Sequence, residues 1–428
     1  MCYVNVMNSI KLALGDFLMN LAYLFSKKSL HGNVVWRWLY SVYKSLLSIW
    51  GMTLLPIITK ADYLERVNGT LTVVKQNRKG VSICSSDPFE SHPVCQMELR
   101  DLCITSLNNV LITSGTDSIV DDSRSLIIND FCVNKSENIY CSDSLLCREK
   151  GNLGLLRKVI NNTPKKIETG IMLCGKYPNN YYHCLFENLN RCLLVDDSVI
   201  PTDVPLLVDK VILSIPSLQK VLSFLVQGSD RVVLPIEQGN LYHCKTLYYI
   251  DHLNYIIPHH RKMSSLPNER SYYDQELLLR QRDVLLAHKS DKVMPTRVFL
   301  TRAKAASRLY NEDEVFEAIK DWGFEKVAPE KLSFEGQMTL FNNAEFIIGG
   351  SGAAFSNIVF CREGCKILCF RPVQSKEGTP LFKTIAYINN ADFWHYRADK
   401  IESSSVHSNY YISPSRLKSI LTELWGLS

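Results

Sequence analysis

The strongest constraint on the fold is the rhythm of residues 297 to 371, where short apolar runs alternate with amphipathic ones. "RVFLTR", "FEKVAP", "EFIIGG" and "KILCFRP" read as strands, and "NEDEVFEAIKDWG" and "SFEGQMTLFNNA" read as the helices between them. Asn311 stands at an N-cap position with Glu314 three residues on, and Gly323 follows the last apolar residue of that helix. Strand, helix, strand in this order gives a parallel sheet covered by helices, a Rossmann-like unit. A second alternation precedes it. "IETGIMLCG", "VPLLVD", "RVVLPIE" and "TLYYID" are strand-like, and "SLQKVLSFLVQ" is helical.

A chain of 428 residues is too long for one core, so more than one unit is expected. We divide it into a helical segment over 1–60, a β-rich region over 61–165, and a Rossmann-like unit over 166–290. A second such unit spans 291–400, and a terminal amphipathic helix in 401–428 folds back onto the first unit. The opening segment is apolar, aromatic and basic. Its longest uncharged run, Lys44 to Lys60, is shorter than the roughly 20 residues needed to span a bilayer. It reads either as amphipathic helices lying on an anionic membrane surface or as helices packed on the body.

Net charge of +5, with no basic block interleaved with aromatics, does not suggest a nucleic-acid binder. The 14 cysteines include six between Cys84 and Cys147 but no Cys-x-x-Cys pair, which argues against a zinc ribbon. With no basic n-region at the N-terminus, the cysteines read as thiols and the compartment as cytoplasmic, a secretory lumen being the alternative. On that reading the sequons at Asn68, Asn134 and Asn161 are chance matches.

Two stretches carry candidate chemistry. In "NNYYHCLFENLNR" an ideal helix capped by Asn180 puts His183, Glu187, Asn190 and Arg191 on one face and Leu185, Leu189 and Cys192 on the other. Tyr181, Tyr182 and Phe186 surround that polar stripe, which suits a cleft better than open water. The bland alternative is an i,i+4 pair on a solvated face. In "IIGGSGAAFSN" a strand ends at glycines Gly349, Gly350 and Gly352 and a helix follows, a geometry whose free N–H groups suit a phosphate. Arg302, Lys304 and Arg308 follow another strand end and can neutralise a diphosphate; the alternative is a solvated basic loop. Asp121-Asp122 and Asp196-Asp197 do not resemble a metal-binding Asp-x-Asp, and no metal is expected.

Together, "NNYYHCLFENLNR", "RVFLTRAKAASRLYNEDEV" and "FNNAEFIIGGSGAAFSNIVFCREGCKI" resemble three segments of glycosyltransferase family 61, in the family's order, over roughly residues 170 to 372. Members include bacterial proteins of capsular and surface-polysaccharide loci. The resemblance implies an α/β chain of GT-B type: two Rossmann-like domains facing a cleft, here with the N-terminal helical extension. It implies an inverting transfer from a nucleotide-diphosphate sugar, a UDP-sugar foremost, to a glycan or lipid-linked saccharide, with no further cofactor. Residues 166–290 would then be the acceptor domain and 291–400 the donor domain. Glu187 becomes the base with His183 tuning it, or the reverse. Arg302, Lys304, Arg308, Asn311, Glu330, Gly350, Ser351, Gly352 and Asn357 fall on the donor side; Tyr182, Asn190 and Arg191 fall on the acceptor side. One position departs from the family pattern: Ser351 stands where a histidine is frequent. A non-catalytic nucleotide-sugar or glycan binder, or another Rossmann-type transferase, is the rival reading.

Overall fold

The computed structural model describes residues 52–427 apart from 68–69, 84–93, 129–138, 141–142, 197, 255–270, 303–306, 373–380 and 403–407. Residues 17, 19–21, 41–43, 45 and 47–48 are also described.

The five-stranded sheet of the C-terminal half is the expected βα unit. Its strands are β6 (Arg297–Leu300), β7 (Glu325–Val327), β8 (Phe346–Gly350), β9 (Lys366–Arg371) and β10 (Asp392–Arg397), following the five strands numbered below for the other sheet. They run parallel in the order β7-β6-β8-β9-β10. From β6 the chain steps first to one side and then to the other, so the strand order reverses between β6 and β8. In open α/β sheets the crevice at such a reversal, beyond the carboxyl ends of the strands, is where ligands bind.

The other sheet has 12 strands. Five adjacent members are β1 (Leu102–Thr113), β2 (Lys165–Met172), β3 (Leu206–Asp209), β4 (Val233–Ile236) and β5 (Leu241–Ile250). They stand in the order β4-β3-β2-β5-β1, parallel except that β1 is antiparallel to β5. Here too the order reverses, between β2 and β5. The β-rich region is therefore not separate from the unit over 166–290. Pairing of β1 with β5, from Leu241↔Thr113 to Ile250↔Ile104, carries one sheet across residue 165.

Only the end of the opening segment departs from the helical expectation; its described residues within 17–21 and 41–48 are helical. "MTLLPIIT" (Met52–Thr59) is a strand, paired with Leu153–Arg157 on one side and Leu126–Ile128 on the other. Met19, Tyr43 and Leu47 pack beside Leu54, Leu153 and Leu155. Among the described residues no helix is long and apolar enough to cross a membrane.

One apolar core joins the two sheets. Ile171, Leu185 and Leu206 belong to the same buried cluster as Leu300, Ile347 and Phe355. The terminal helix Pro414–Trp425 does not fold back onto the first unit. It buries Leu417, Leu421 and Trp425 against Phe299, Val315, Ile348 and Leu368 of the C-terminal sheet. Those three side chains recur every four residues, and each contributes about 1.5–3 kcal/mol on burial. Nine described cysteines are buried free thiols, but Cys95 is disulfide-bonded, against the reading of all the cysteines as reduced.

Candidate active site

The segment after β2 begins as expected: the Asn180 side chain accepts the Tyr182 N–H and caps a helical turn over Tyr181–His183. It then departs from an ideal helix. Cys184–Asn188 is a π turn and Leu189–Leu194 a 3-10 turn. The His183–Glu187 pair survives the change, with Nδ1 2.6 Å from Oε1. Asn190 and Arg191 do not stay with it, because one wide turn followed by tight ones rotates everything downstream. Both are buried; Asn190 donates to the Phe186 carbonyl, and Arg191 donates to the carbonyls of Asn188 and Cys174. Their expected place on the open stripe is corrected: they are fastenings of the turn itself.

The dyad sits in an aromatic frame. Tyr177, in the left-handed region at φ 51°, lies against the His183 ring at 4.6 Å between centroids, and Tyr182 meets it edge-on at 5.3 Å. Tyr182 is itself buried with its hydroxyl bonded to that of Tyr273, so it supports His183 from the core side. Outside Tyr177 lies a depression of about 500 Å³, bordered by Ser114, Asn179, Lys210, Ser214 and Gln238.

Across from the dyad, the C-terminal sheet gathers cations. Arg302 lies just past β6 and Arg371 ends β9. Arg308 is held at φ 58°, a strained conformation for a non-glycine residue. The carboxylate that could neutralise them is engaged elsewhere: Glu312 accepts from the Arg302 main-chain N–H at 2.7 Å and from the Thr301 hydroxyl, and pairs with Lys326 at 3.1 Å. Among the described residues no carboxylate is within ion-pair distance of the Arg308 or Arg371 guanidinium. Burial lowers the pKa of both, and Arg302 and Arg371 push that of Arg308 down further. Nε of Arg302 and of Arg308 is buried without an acceptor. Partly buried cations short of partners, at a strand-order reversal, are suited to an anion.

The glycines serve this cluster more than they serve a bound phosphate directly. A Cβ on Gly350 would fall 2.7 Å from Cδ of Arg302, and one on Gly352 2.2 Å from its Nη1. The guanidinium thus occupies the space two side chains would have taken. It donates to the carbonyls of Ser351 and Ser307. The Ser351 N–H, expected at a phosphate, is spent on the Phe370 carbonyl at 2.9 Å, and the helix it precedes is a 3-10 helix over Ala353–Phe360.

The remaining donor-side candidates separate. Glu330 is exposed just beyond β7, on the crevice side of the sheet. Asn311 borders a depression of about 390 Å³ beside Arg302 and Tyr310. Its side chain does not cap the Glu312–Ile319 helix, because Oδ1 accepts from Ile412 N–H and Nδ2 donates to Ile412 O, both at 2.9 Å. Asn357 is buried and fully used, accepting from the Tyr181 hydroxyl at 2.6 Å and donating to Gln337 at 3.1 Å. It ties the dyad's helix to the segment that starts at Gly352, which brings the two halves of the site together. Lys304 lies outside the described residues. Arg371 was absent from the expected site, although an arginine ending an apolar strand beside the glycine strand was visible in "KILCFRP".

Among the described residues no three His, Cys, Asp or Glu side chains are grouped to hold a metal ion. No curated protein sequence matches the chain. The family model described as Glycosyltransferase 61 matches residues 181–368, from the tyrosine that opens the dyad's helix to the middle of β9, and takes in Arg302, Arg308 and the glycine segment. The match over residues 181–368 is similarity to glycosyltransferase 61 and supports glycosyl transfer as the general activity of this region.

Proposed function

We propose that the protein is an inverting glycosyltransferase of GT-B type that moves a sugar from a nucleoside-diphosphate donor to a hydroxyl of a saccharide or lipid-linked saccharide. The observation that carries this reading is the set of three guanidiniums, Arg302, Arg308 and Arg371, gathered without carboxylates at the carboxyl ends of parallel strands. A diphosphate supplies the charge they lack, and its departure is the step in which that charge grows. Arginine suits the task because its fork of N–H donors matches phosphate oxygens and stays charged under burial.

The reaction then needs a base on the other side of the anomeric carbon. The acceptor hydroxyl gives its proton to Glu187, its oxygen bonds to C1 of the donor sugar, and the bond from C1 to the diphosphate oxygen breaks with the electron pair leaving on the diphosphate. Configuration at C1 inverts. His183, 2.6 Å from Glu187, holds the carboxylate in place, and Tyr177 and Tyr182 hold the imidazole. The depression beside Tyr177 provides room for the acceptor, with an aromatic edge and polar rim suited to a sugar. Charge neutralisation by arginine makes a bound divalent cation unnecessary in this scheme, so transfer is expected to continue in EDTA. The acceptor class fits surface-polysaccharide assembly. The disulfide at Cys95 favours an oxidising compartment over the cytosol.

Turnover tests the base. Glu187→Gln keeps a hydrogen-bonding partner for His183 but cannot take a proton, so kcat should fall about 10²–10⁴-fold with donor affinity retained. His183→Asn should cost less. If His183→Asn abolishes turnover and Glu187→Gln does not, the roles are exchanged.

A further inference from the structure

The turn that carries Glu187 is held in an unusual way. From Leu185 to Asn188 every main-chain carbonyl accepts a hydrogen bond from a side chain. Gln281 donates to Leu185 O at 2.7 Å, and Asn190 and Asn254 donate to Phe186 O at 2.6 and 3.0 Å. His252 Nδ1 lies 3.1 Å from Glu187 O, and Arg191 Nε donates to Asn188 O at 3.1 Å. These carbonyls sit where the pitch passes from a π turn to a 3-10 turn, and there the regular ladder gives way. Buried carbonyls need donors, and here side chains provide them.

The contact to Glu187 itself differs from the other four. His252 lies two residues past the carboxyl end of β5, the strand beside β2 at the reversal of strand order. Its second ring nitrogen is 3.1 Å from Asp117, which also pairs with Lys176 at 3.3 Å. Burial alone would raise the Asp117 pKa, but Lys176 and His252 outweigh it and hold the carboxyl well below the usual carboxylate range. Asp117 is thus a fixed anion that orients the imidazole, and the imidazole in turn grips the carbonyl of the residue bearing the base. A carbonyl can only accept, so Nδ1 is the donor in that contact.

We propose that His252, oriented by Asp117, is a positioning residue for Glu187: it locks the π turn so that the carboxylate meets His183 and the acceptor hydroxyl. This rests on the transfer reading above. Its readout is a split between turnover and binding, because a residue that only stabilises the fold lowers both or neither.

The experiment compares wild type with His252→Ala, His252→Asn and Asp117→Asn. Asn places its amide nitrogen where Nδ1 was but cannot reach Asp117. In His252→Ala, kcat should drop about 10–100-fold, the size of the loss when a hydrogen bond that orients a metal-bound side chain is removed. Affinity for the free nucleoside diphosphate, measured by calorimetry, should stay within about twofold. His252→Asn should recover most of the loss, and Asp117→Asn should fall between. In parallel, amide hydrogen exchange of the peptide spanning 181–194 should quicken in His252→Ala and recover in His252→Asn. Unchanged kcat in a folded His252→Ala overturns the proposal, and so does a His252→Asn variant as impaired as His252→Ala. If wild type transfers no sugar from any donor, the transfer reading fails and the catalytic half of this proposal fails with it. The exchange comparison still decides whether His252 fastens the turn.

Discussion

Around the dyad, most buried charged groups meet polar or charged partners. Asp117 faces Lys176 and His252, and Asp209 accepts from the N–H groups of Gly115 and Gly175. Further out, Arg78 and Asp274 form a buried pair at 2.9 Å, with Arg78 also bonded to the Arg100 and Leu253 carbonyls. Around Arg302, Arg308 and Arg371 the opposite holds: cations are gathered and the nearest carboxylate, Glu312, is turned to other work. The same residue type is therefore structural in one region and in waiting in the other. A matched network fixes geometry, as a proton acceptor requires, and an unmatched one stores affinity for a ligand that brings the missing charge.

The same substitution made in both regions should have opposite consequences. Arg78→Met leaves Asp274 buried and uncompensated and should cost about 3–5 kcal/mol in urea unfolding. Arg371→Met removes a cation that lacks a partner and should leave the ligand-free protein within about 1 kcal/mol of wild type, or stabilise it. Equal losses at the two sites would show that Arg371 is compensated after all. A smaller effect sharpens the donor half. Arg302→Ala and Arg371→Ala should each weaken nucleoside-diphosphate binding by about 1.5–3 kcal/mol, the worth of hydrogen bonds to a charged group. The smallest concerns the tie between the halves. Tyr181→Phe removes the 2.6 Å bond to Asn357 and should cost about 1 kcal/mol of stability, with a larger loss in kcat than in donor affinity.

What was legible in the sequence follows the same division. The C-terminal βα unit could be read because local signals agree there: amphipathic helices, apolar strands and glycine at Gly323, whose φ of 79° needs it. Arg302 and Arg308 stand out in the sequence because they follow a strand end in such a unit. Arg371 was just as visible, ending the apolar strand in "KILCFRP", but no second cation stands beside it in the sequence. The His183–Glu187 pair was visible as an i,i+4 spacing, but nothing in "CLFENLNR" signals a π turn, so Asn190 and Arg191 were placed on the wrong face. The fastening donors, Gln281, Asn254 and His252, come from 60 to 100 residues downstream and are set by tertiary packing alone. Likewise "MTLLPIIT" is an apolar run with no clear period, which cannot tell a buried strand from a helix. The joining of the β-rich region to the parallel sheet rests on the pairing of β1 with β5, residues far apart in sequence.

The proposed function stands on the arginine cluster being a nucleoside-diphosphate-sugar site. Its most direct test is calorimetric titration of wild type, Arg302→Ala and Arg371→Ala with UDP-, GDP- and CMP-linked sugars in the presence of EDTA. One class of donor should bind wild type without a metal, and either substitution should weaken that binding at least tenfold. Well-folded wild type that binds none of them, or binding that survives both substitutions, would contradict it.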